Sequence, residues 1–194
     1  YFYVSTSYSE RLAYQRMYGI NIAVYTTNNY IYSTGSDFII KAKESDTGSC
    51  WYRQAAADRE RNHICDPVLS YSEYSIPVTA LLTPGSRYTN ILKIDIPEDL
   101  IYKMMEKESA DKDVYLVNSN FNIISSTDRN SIGLGIDEVP SLKNILPKLY
   151  SANEFASEEN GKNVYFISRI GKKGNKEIFS PCWLISVVSA QPLL

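Results

Sequence analysis

Two eleven-residue stretches of the chain read as one hairpin written twice: residues 24–34 align without a gap on residues 116–126. Each copy is an apolar strand, a polar turn containing Asn, a second strand and then Ser or Thr. Asn28, Ile31 and Ser33 meet identical residues in Asn120, Ile123 and Ser125. A hairpin that recurs in this way makes the chain a tandem of one module.

The order of elements after each hairpin supports the repeat. After the first, apolar spacing predicts a helix at about 49–59 and strands at 74–83 and 87–96, joined by the turn Pro84-Gly85-Ser86. After the second, a helix is predicted at about 141–150, then strands at 163–170 and 178–189, joined through residues 171–175. Gly and Asn supply the positive φ that tight reversals need. The fold class is therefore α+β, with an antiparallel sheet and one helix-bearing excursion per copy. Such a sheet buries one face and leaves a concave surface under the excursion. The stretch Gly133-Leu134-Gly135 is expected to be a loop that turns the chain back under the second sheet.

Between the copies lies a segment with Pro97, Glu98 and Asp99 at its start and an apolar stripe of Leu100, Ile101, Met104 and Met105. Pro fits a first helical turn and acids fit the positive end of the helix dipole, so the segment predicts a connector helix packed between modules. An ordinary surface helix would carry the same stripe.

The net charge of −2 gives no reason to expect nucleic acid, and Lys172, Lys173 and Lys176 sit on a predicted hairpin tip, where solvation explains them. No run of about twenty apolar residues exists, so nothing here spans a bilayer by itself. The sequence opens on Tyr1 without Met and closes on the apolar stretch 184–194, as expected of a chain cut at both ends, which is compatible with the soluble part of a membrane protein. Of the sixteen tyrosines, twelve crowd into 1–32 and 71–102. Tyrosine suits half-buried sheet surfaces and small-molecule pockets alike, and composition does not separate the two.

Cys50 and Cys65 flank the first predicted helix and could pair in an oxidising compartment, or they and Cys182 could be free thiols. No metal-ligand spacing occurs, and nothing calls for a cofactor. His63 lies two residues from Cys65, on one face of a strand, but a nucleophile and its base are normally assembled from distant segments with an orienting third group. No HExxH, phosphate-cradling Gly loop or GxSxG is present. The sequence asks for no enzyme.

These elements, in this order, resemble the double Cache extracellular sensor domains of bacterial histidine kinases and chemoreceptors. The likeness rests on Ile123-Ile-Ser-Ser-Thr-Asp128 followed by Ile132-Gly133, on Ser49-Cys-Trp-Tyr52 leading a helix, and on Ile91-Leu-Lys-Ile-Asp-Ile96 closing the first module. The ectodomains of two-transmembrane sensor kinases of Gram-positive bacteria are the most similar members. The resemblance implies an N-terminal helix within residues 1–18, a membrane-distal PAS-like module at 19–96, a connector helix at 97–110 and a membrane-proximal PAS-like module at 111–194. It implies a small-molecule ligand in the distal module, flanking transmembrane helices, and a location on the extracellular face of the cell membrane.

In amino-acid-binding members, Arg-x-Trp-Tyr on the pocket helix holds a carboxylate, and an Asp on the module's last strand holds the amine. Here Trp51, Tyr52 and Asp95 match, whereas Ser49 stands at the Arg position. Arg53 lies one helical turn on, and Tyr74 is a further candidate contact. The second copy has no acid in 183–188, so a single site in the first module follows. Two other classes are compatible with the residues: a module that binds no small molecule and instead forms a homodimer along its N-terminal helix or docks a partner protein, and an enzyme using His63 and Cys65.

Overall fold

The computed structural model describes residues 17–33, 39–82, 87–107, 112–151, 155–160, 163–173 and 176–189, with 13, 15 and 109 as single positions. The chain divides into two compact units, Tyr1–Pro97 and Glu98–Leu194. The expected helix within 1–18 lies mostly outside the described residues; of it Ala13, Gln15, Met17 and Tyr18 are described, and they are helical. The turn at 84–86 also lies outside them, as do residues 174 and 175 of the second hairpin tip.

In the first unit one antiparallel sheet is built from β1 (Asn21–Tyr25), β2 (Tyr30–Ser33), β3 (Ile40–Lys41), β4 (His63–Ile64), β5 (Val68–Ser70), β6 (Glu73–Leu81) and β7 (Ile91–Pro97). Its order is β3-β2-β1-β7-β6-β4, with β5 also paired to β6. Helices α1 (Glu44–Thr47) and α2 (Cys50–Ala57) lie between β3 and β4 in sequence. The second unit begins with α3 (Glu98–Glu106) and continues with β8 (Asp113–Val117), β9 (Ile123–Ser126), a 3-10 turn at Arg129–Ser131 and α4 (Leu146–Ser151). It ends with β10 (Phe155–Asn160), β11 (Asn163–Lys173) and β12 (Lys176–Ser189), in a sheet of order β10-β11-β12-β8-β9. From the hairpin inward, β2-β1-β7-β6 and β9-β8-β12-β11 are the same antiparallel arrangement, with the first and last long strands side by side. The α+β class with two antiparallel sheets is as the sequence predicts.

The repeated hairpin is repeated in its backbone bonds. Asn29 and Phe121, which align, both sit at φ 61°. Asn29 N donates to Thr26 O and Phe121 N donates to Asn118 O, while Thr26 N and Asn118 N donate to Tyr30 O and Asn122 O. The turn side chain also has one role in both copies: Tyr30 N donates to Thr26 Oγ1 at 3.1 Å, and Asn122 N donates to Asn118 Oδ1 at 3.1 Å. This is a short hairpin loop closed by a left-handed residue. The copies then part, because a bulge between Leu116 and Val117 pairs Val117 with Ile123 but Leu116 with Ser125. One extra residue in β9 shifts everything beyond it relative to β2. Asn tolerates a left-handed backbone that a β-branched residue resists. Asn29→Val is therefore expected to cost about 1–2 kcal/mol, to be read as a lower midpoint in urea denaturation.

Each sheet has an apolar core on the face under its helix-bearing excursion, and β8 and β9 are buried on both faces. In the first unit α2 packs on β6, β7 and β4, and Trp51 and Ala55 meet Ala23, Tyr25, Cys65, Leu81 and Ile91. In the second unit the cover comes from Ile136, Val139, Leu142, Ile145 and Leu149 over Tyr115, Val117, Ile167, Trp183, Ile185 and Val187. The predicted helix at 141–150 is only partly formed and begins at Leu146. Pro147 has no N–H and tolerates only a first helical turn, so the preceding residues are wound instead by three-residue bonds, Leu142 N to Val139 O and Ile145 N to Leu142 O. The loop expected at 133–135 does turn the chain back onto the sheet: Gly133, at φ 86°, donates its N–H to Ile123 O. Pro97 ends β7 rather than opening the helix, which runs from Glu98 to Glu106 and groups with the second unit.

Candidate ligand site of the first unit

The covered face of the first sheet is set by strand register. On β7 the residues Ile91, Lys93 and Asp95 alternate onto one face, opposite Tyr25, Ala23 and Asn21 of β1 and Leu81, Thr79 and Pro77 of β6. Helix α2 runs over this face and brings two aromatic residues to it. Trp51 is buried, and its ring lies 4.8 Å from that of Tyr25 and 5.7 Å from that of Tyr52; Tyr25 and Tyr52 are 6.4 Å apart. The tilted and edge-on geometries are those that aromatic quadrupoles favour.

A charged pair sits beside these rings. Lys93 Nζ donates to Asp95 Oδ2 at 2.8 Å and lies 4.8 Å from the Trp51 ring centroid. Both side chains are mostly withdrawn from water, at 14% and 19% exposure. The other carboxylate oxygen, Asp95 Oδ1, is buried and has no hydrogen-bond partner among the described residues. Burial, with the Asp46 and Asp95 carboxylates nearby, pushes the Tyr25 phenol up to about 12, so it remains a neutral hydroxyl.

Of the residues expected from sequence, Trp51, Tyr52 and Asp95 meet around this cluster. Arg53 does not join it: two residues along α2 from the buried Trp51, it is exposed. Tyr74 is half-buried, and its register opposite Leu69 puts it on the other face of the sheet from Asp95. Lys93 and Tyr25 were missed. The signal for Lys93 was present, because in Ile91-Leu-Lys-Ile-Asp-Ile96 a period of two places it on the Asp95 face.

The second sheet shows what the same positions hold without this chemistry. Through β8 and β12, Trp183 faces Val117, Ile185 faces Tyr115 and Val187 faces Asp113. Ile185 and Val187 thus stand where Lys93 and Asp95 stand in the first unit, and both are buried in the apolar core. The module can be built with hydrocarbon at these places. A buried ion pair rarely outperforms well-packed apolar residues for stability, so its presence in one copy needs another reason.

No model of a protein family and no curated protein matches the sequence. Solved structures do match its fold. The ligand-binding domain of the Pseudomonas aeruginosa PAO1 amino acid chemoreceptor PctB, in complex with L-Arg, superposes with a TM-score of 0.63 at 11% identity, covering 98% of this chain and 83% of that one. The ligand-binding domain of the Pseudomonas fluorescens chemoreceptor CtaA, in complex with L-isoleucine, gives 0.61 at 10% identity over 91% and 71%. The extracellular domain of vpHK1S-Z8, described as a histidine kinase, gives 0.59 at 14% identity over 94% and 74%. The chain shares the fold of these domains.

Within that fold His63, Cys65 and Cys182 are buried and Cys50 is exposed. None of the three cysteines is in a disulfide. His63 and Cys65 are both buried, but Cys65 Sγ meets Thr79 Oγ1 at 3.7 Å and His63 Nε2 meets Asp58 O at 3.1 Å. Burial pushes the Cys65 thiol up to about 12, the reverse of an activated nucleophile. A thiol reagent at neutral pH is expected to label only the exposed Cys50 in the native protein and all three cysteines after denaturation. Early labelling of Cys65 would contradict this packing. Among the described residues no group of His, Cys, Asp and Glu could hold a metal ion.

Proposed function

We propose that the chain is the extracellular ligand-sensing domain of a bacterial signal-transduction receptor, of the two-transmembrane histidine kinase type. A small molecule binds in the first unit, membrane-distal in the intact receptor, and contacts Trp51, Tyr52 and Asp95. The second unit relays the change to flanking transmembrane helices and so to the output domain. Among the described residues no helix is long and apolar enough to cross a membrane, so these spans would be supplied from outside them. The observation that carries the reading is the Lys93–Asp95 pair beside three aromatic rings in one sheet, against Ile185 and Val187 in its repeat. A receptor built on this fold needs only that ligand affinity differ between two conformations, since that difference sets how far the population moves.

A thermal-shift screen of amino acids, amines, organic acids, sugars and nucleobases tests it, with Trp51→Ala and Asp95→Ala as controls. A compound at a hundredfold excess over its dissociation constant should add about 2.7 kcal/mol, or about 5–10 °C in melting temperature for a chain of this length. A hit lost in both variants supports the site. No hit in any class, with the variants responding like the parent, would favour a dimerisation or partner-docking module instead.

A further inference from the structure

Resting on the sensor reading, we infer that the ligand of the first unit is an uncharged planar molecule that presents an N–H beside a C=O, the edge of a cyclic amide or ureide. Four observations lead there. First, the charge of Asp95 is already balanced, because Lys93 Nζ holds Oδ2 at 2.8 Å. Secondly, Asp95 Oδ1 is buried without a donor among the described residues, so the site asks its ligand for one N–H or O–H. Thirdly, the Lys93 ammonium carries three donors, of which the carboxylate takes one, and its position over the Trp51 ring leaves it facing the same cluster. It therefore offers a donor next to the acceptor Oδ1. A ligand edge that carries an acceptor and a donor side by side satisfies both at once. Fourthly, the surroundings are aromatic, with Tyr25, Trp51 and Tyr52 packed on one another at tilted and edge-on angles, so a ring-shaped ligand meets apolar ring surface here.

The same geometry selects against charge. A ligand ammonium on Oδ1 would lie close to the Lys93 ammonium and would repel it. Among the described residues, Lys93 is the cation set against these rings and is already paired with Asp95, while Arg53 is exposed, so a ligand carboxylate would find little positive charge. It would also enter a neighbourhood whose acids, Asp46, Asp66 and Asp95, act on Tyr25 and Cys65. An amide edge gains both hydrogen bonds and brings no net charge into this neighbourhood.

The experiment is isothermal titration of the chain with uracil, hypoxanthine, hydantoin and 2-piperidone, each beside the derivative methylated at every ring N–H that flanks a carbonyl, and with L-amino acids and alkylamines as charged comparators. The expected result is saturable binding of at least one cyclic amide, weakened tenfold or more by N-methylation and by either Lys93→Met or Asp95→Ala, because each change removes one of the paired hydrogen bonds. Binding of amino acids or amines alone, weakened by Trp51→Ala, would overturn the inference and leave the sensor reading standing. Amine binding strengthened by Lys93→Met would overturn it too, since Lys93 would then be a competitor rather than a contact. Binding of none of these compounds would overturn it as well, and the wider screen would then decide the sensor reading separately. An N-methyl derivative that binds as well as its parent would also sink the proposed edge.

Discussion

Arg129→Ala is expected to lower the stability of the second unit by about 2–3 kcal/mol. The reason lies one residue past the boundary between the units. Glu98, the first residue of α3, is 1% exposed, and its carboxylate accepts from Ser125 Oγ at 2.6 Å and from Arg129 Nη1 at 2.6 Å. Arg129 also lies over the Tyr102 ring at 4.4 Å and reaches Asp99 at 3.9 Å. Removing one partner of a buried pair costs about 3–5 kcal/mol, because the other charge is left without compensation. Arg129 is 47% exposed, and solvent already screens its side of the pair, which places the expected loss at the lower end. A change below about 0.5 kcal/mol in urea denaturation would mean that Ser125 alone suffices for Glu98.

The same carboxylate gives the fold a pH dependence of definite sign. Burial raises the Glu98 pKa above the usual glutamate value, against the pull of Ser125 and Arg129. The folded state therefore keeps its proton to a higher pH than the unfolded chain does. Across the window from the ordinary glutamate value, about 4.3, up to the raised one, the folded state binds more protons, and the contribution of Glu98 falls as pH rises. Glu98→Gln should flatten stability against pH in that window, whereas Arg129→Ala should extend the fall to higher pH. The measurement is a series of urea midpoints from about pH 4 to 7 on the three proteins. A parent whose stability rises through the window with the slope unchanged in Glu98→Gln would show that other carboxylates govern it.

How far the sequence carried this fold depends on which physics was local. The hairpin turn was legible because its left-handed residue, its i to i+3 bond and its side-chain acceptor are all fixed within five residues, so Asn28 and Asn120 marked it twice. The bulge at Leu116 was not legible, since a single inserted residue leaves the apolar pattern of β8 and β9 intact. The late start of α4 at Leu146 could have been read from Pro147, whose missing N–H outweighs the apolar spacing of Leu142, Ile145 and Leu149. At the site, Trp51 and Asp95 came from motif likeness, and Arg53 from a shift of one helical turn. The helix turned Arg53 to solvent, because a residue two positions from a buried Trp lies on the far side. Lys93 depended on strand period and on recognising that β7 pairs on both sides, which only the sheet order reveals.

The decisive substitution takes the first sheet to the composition of the second. Lys93→Ile combined with Asp95→Val gives β7 the residues that Ile185 and Val187 supply in β12. The double variant is expected to be as stable as the parent or up to about 2 kcal/mol more stable, since hydrocarbon of similar volume replaces a desolvated pair. Lys93→Ile alone should instead cost about 2–3 kcal/mol, for it strands Asp95 with both oxygens unpaired. The two single effects should therefore fail to add, and the cycle measures their coupling directly. Ligand-induced stabilisation should vanish in the double variant although its fold is intact. A double variant less stable than either single one would make the pair a structural necessity of this unit. A stable double variant that has lost its ligand response would make it a feature kept at some cost to stability for what it binds.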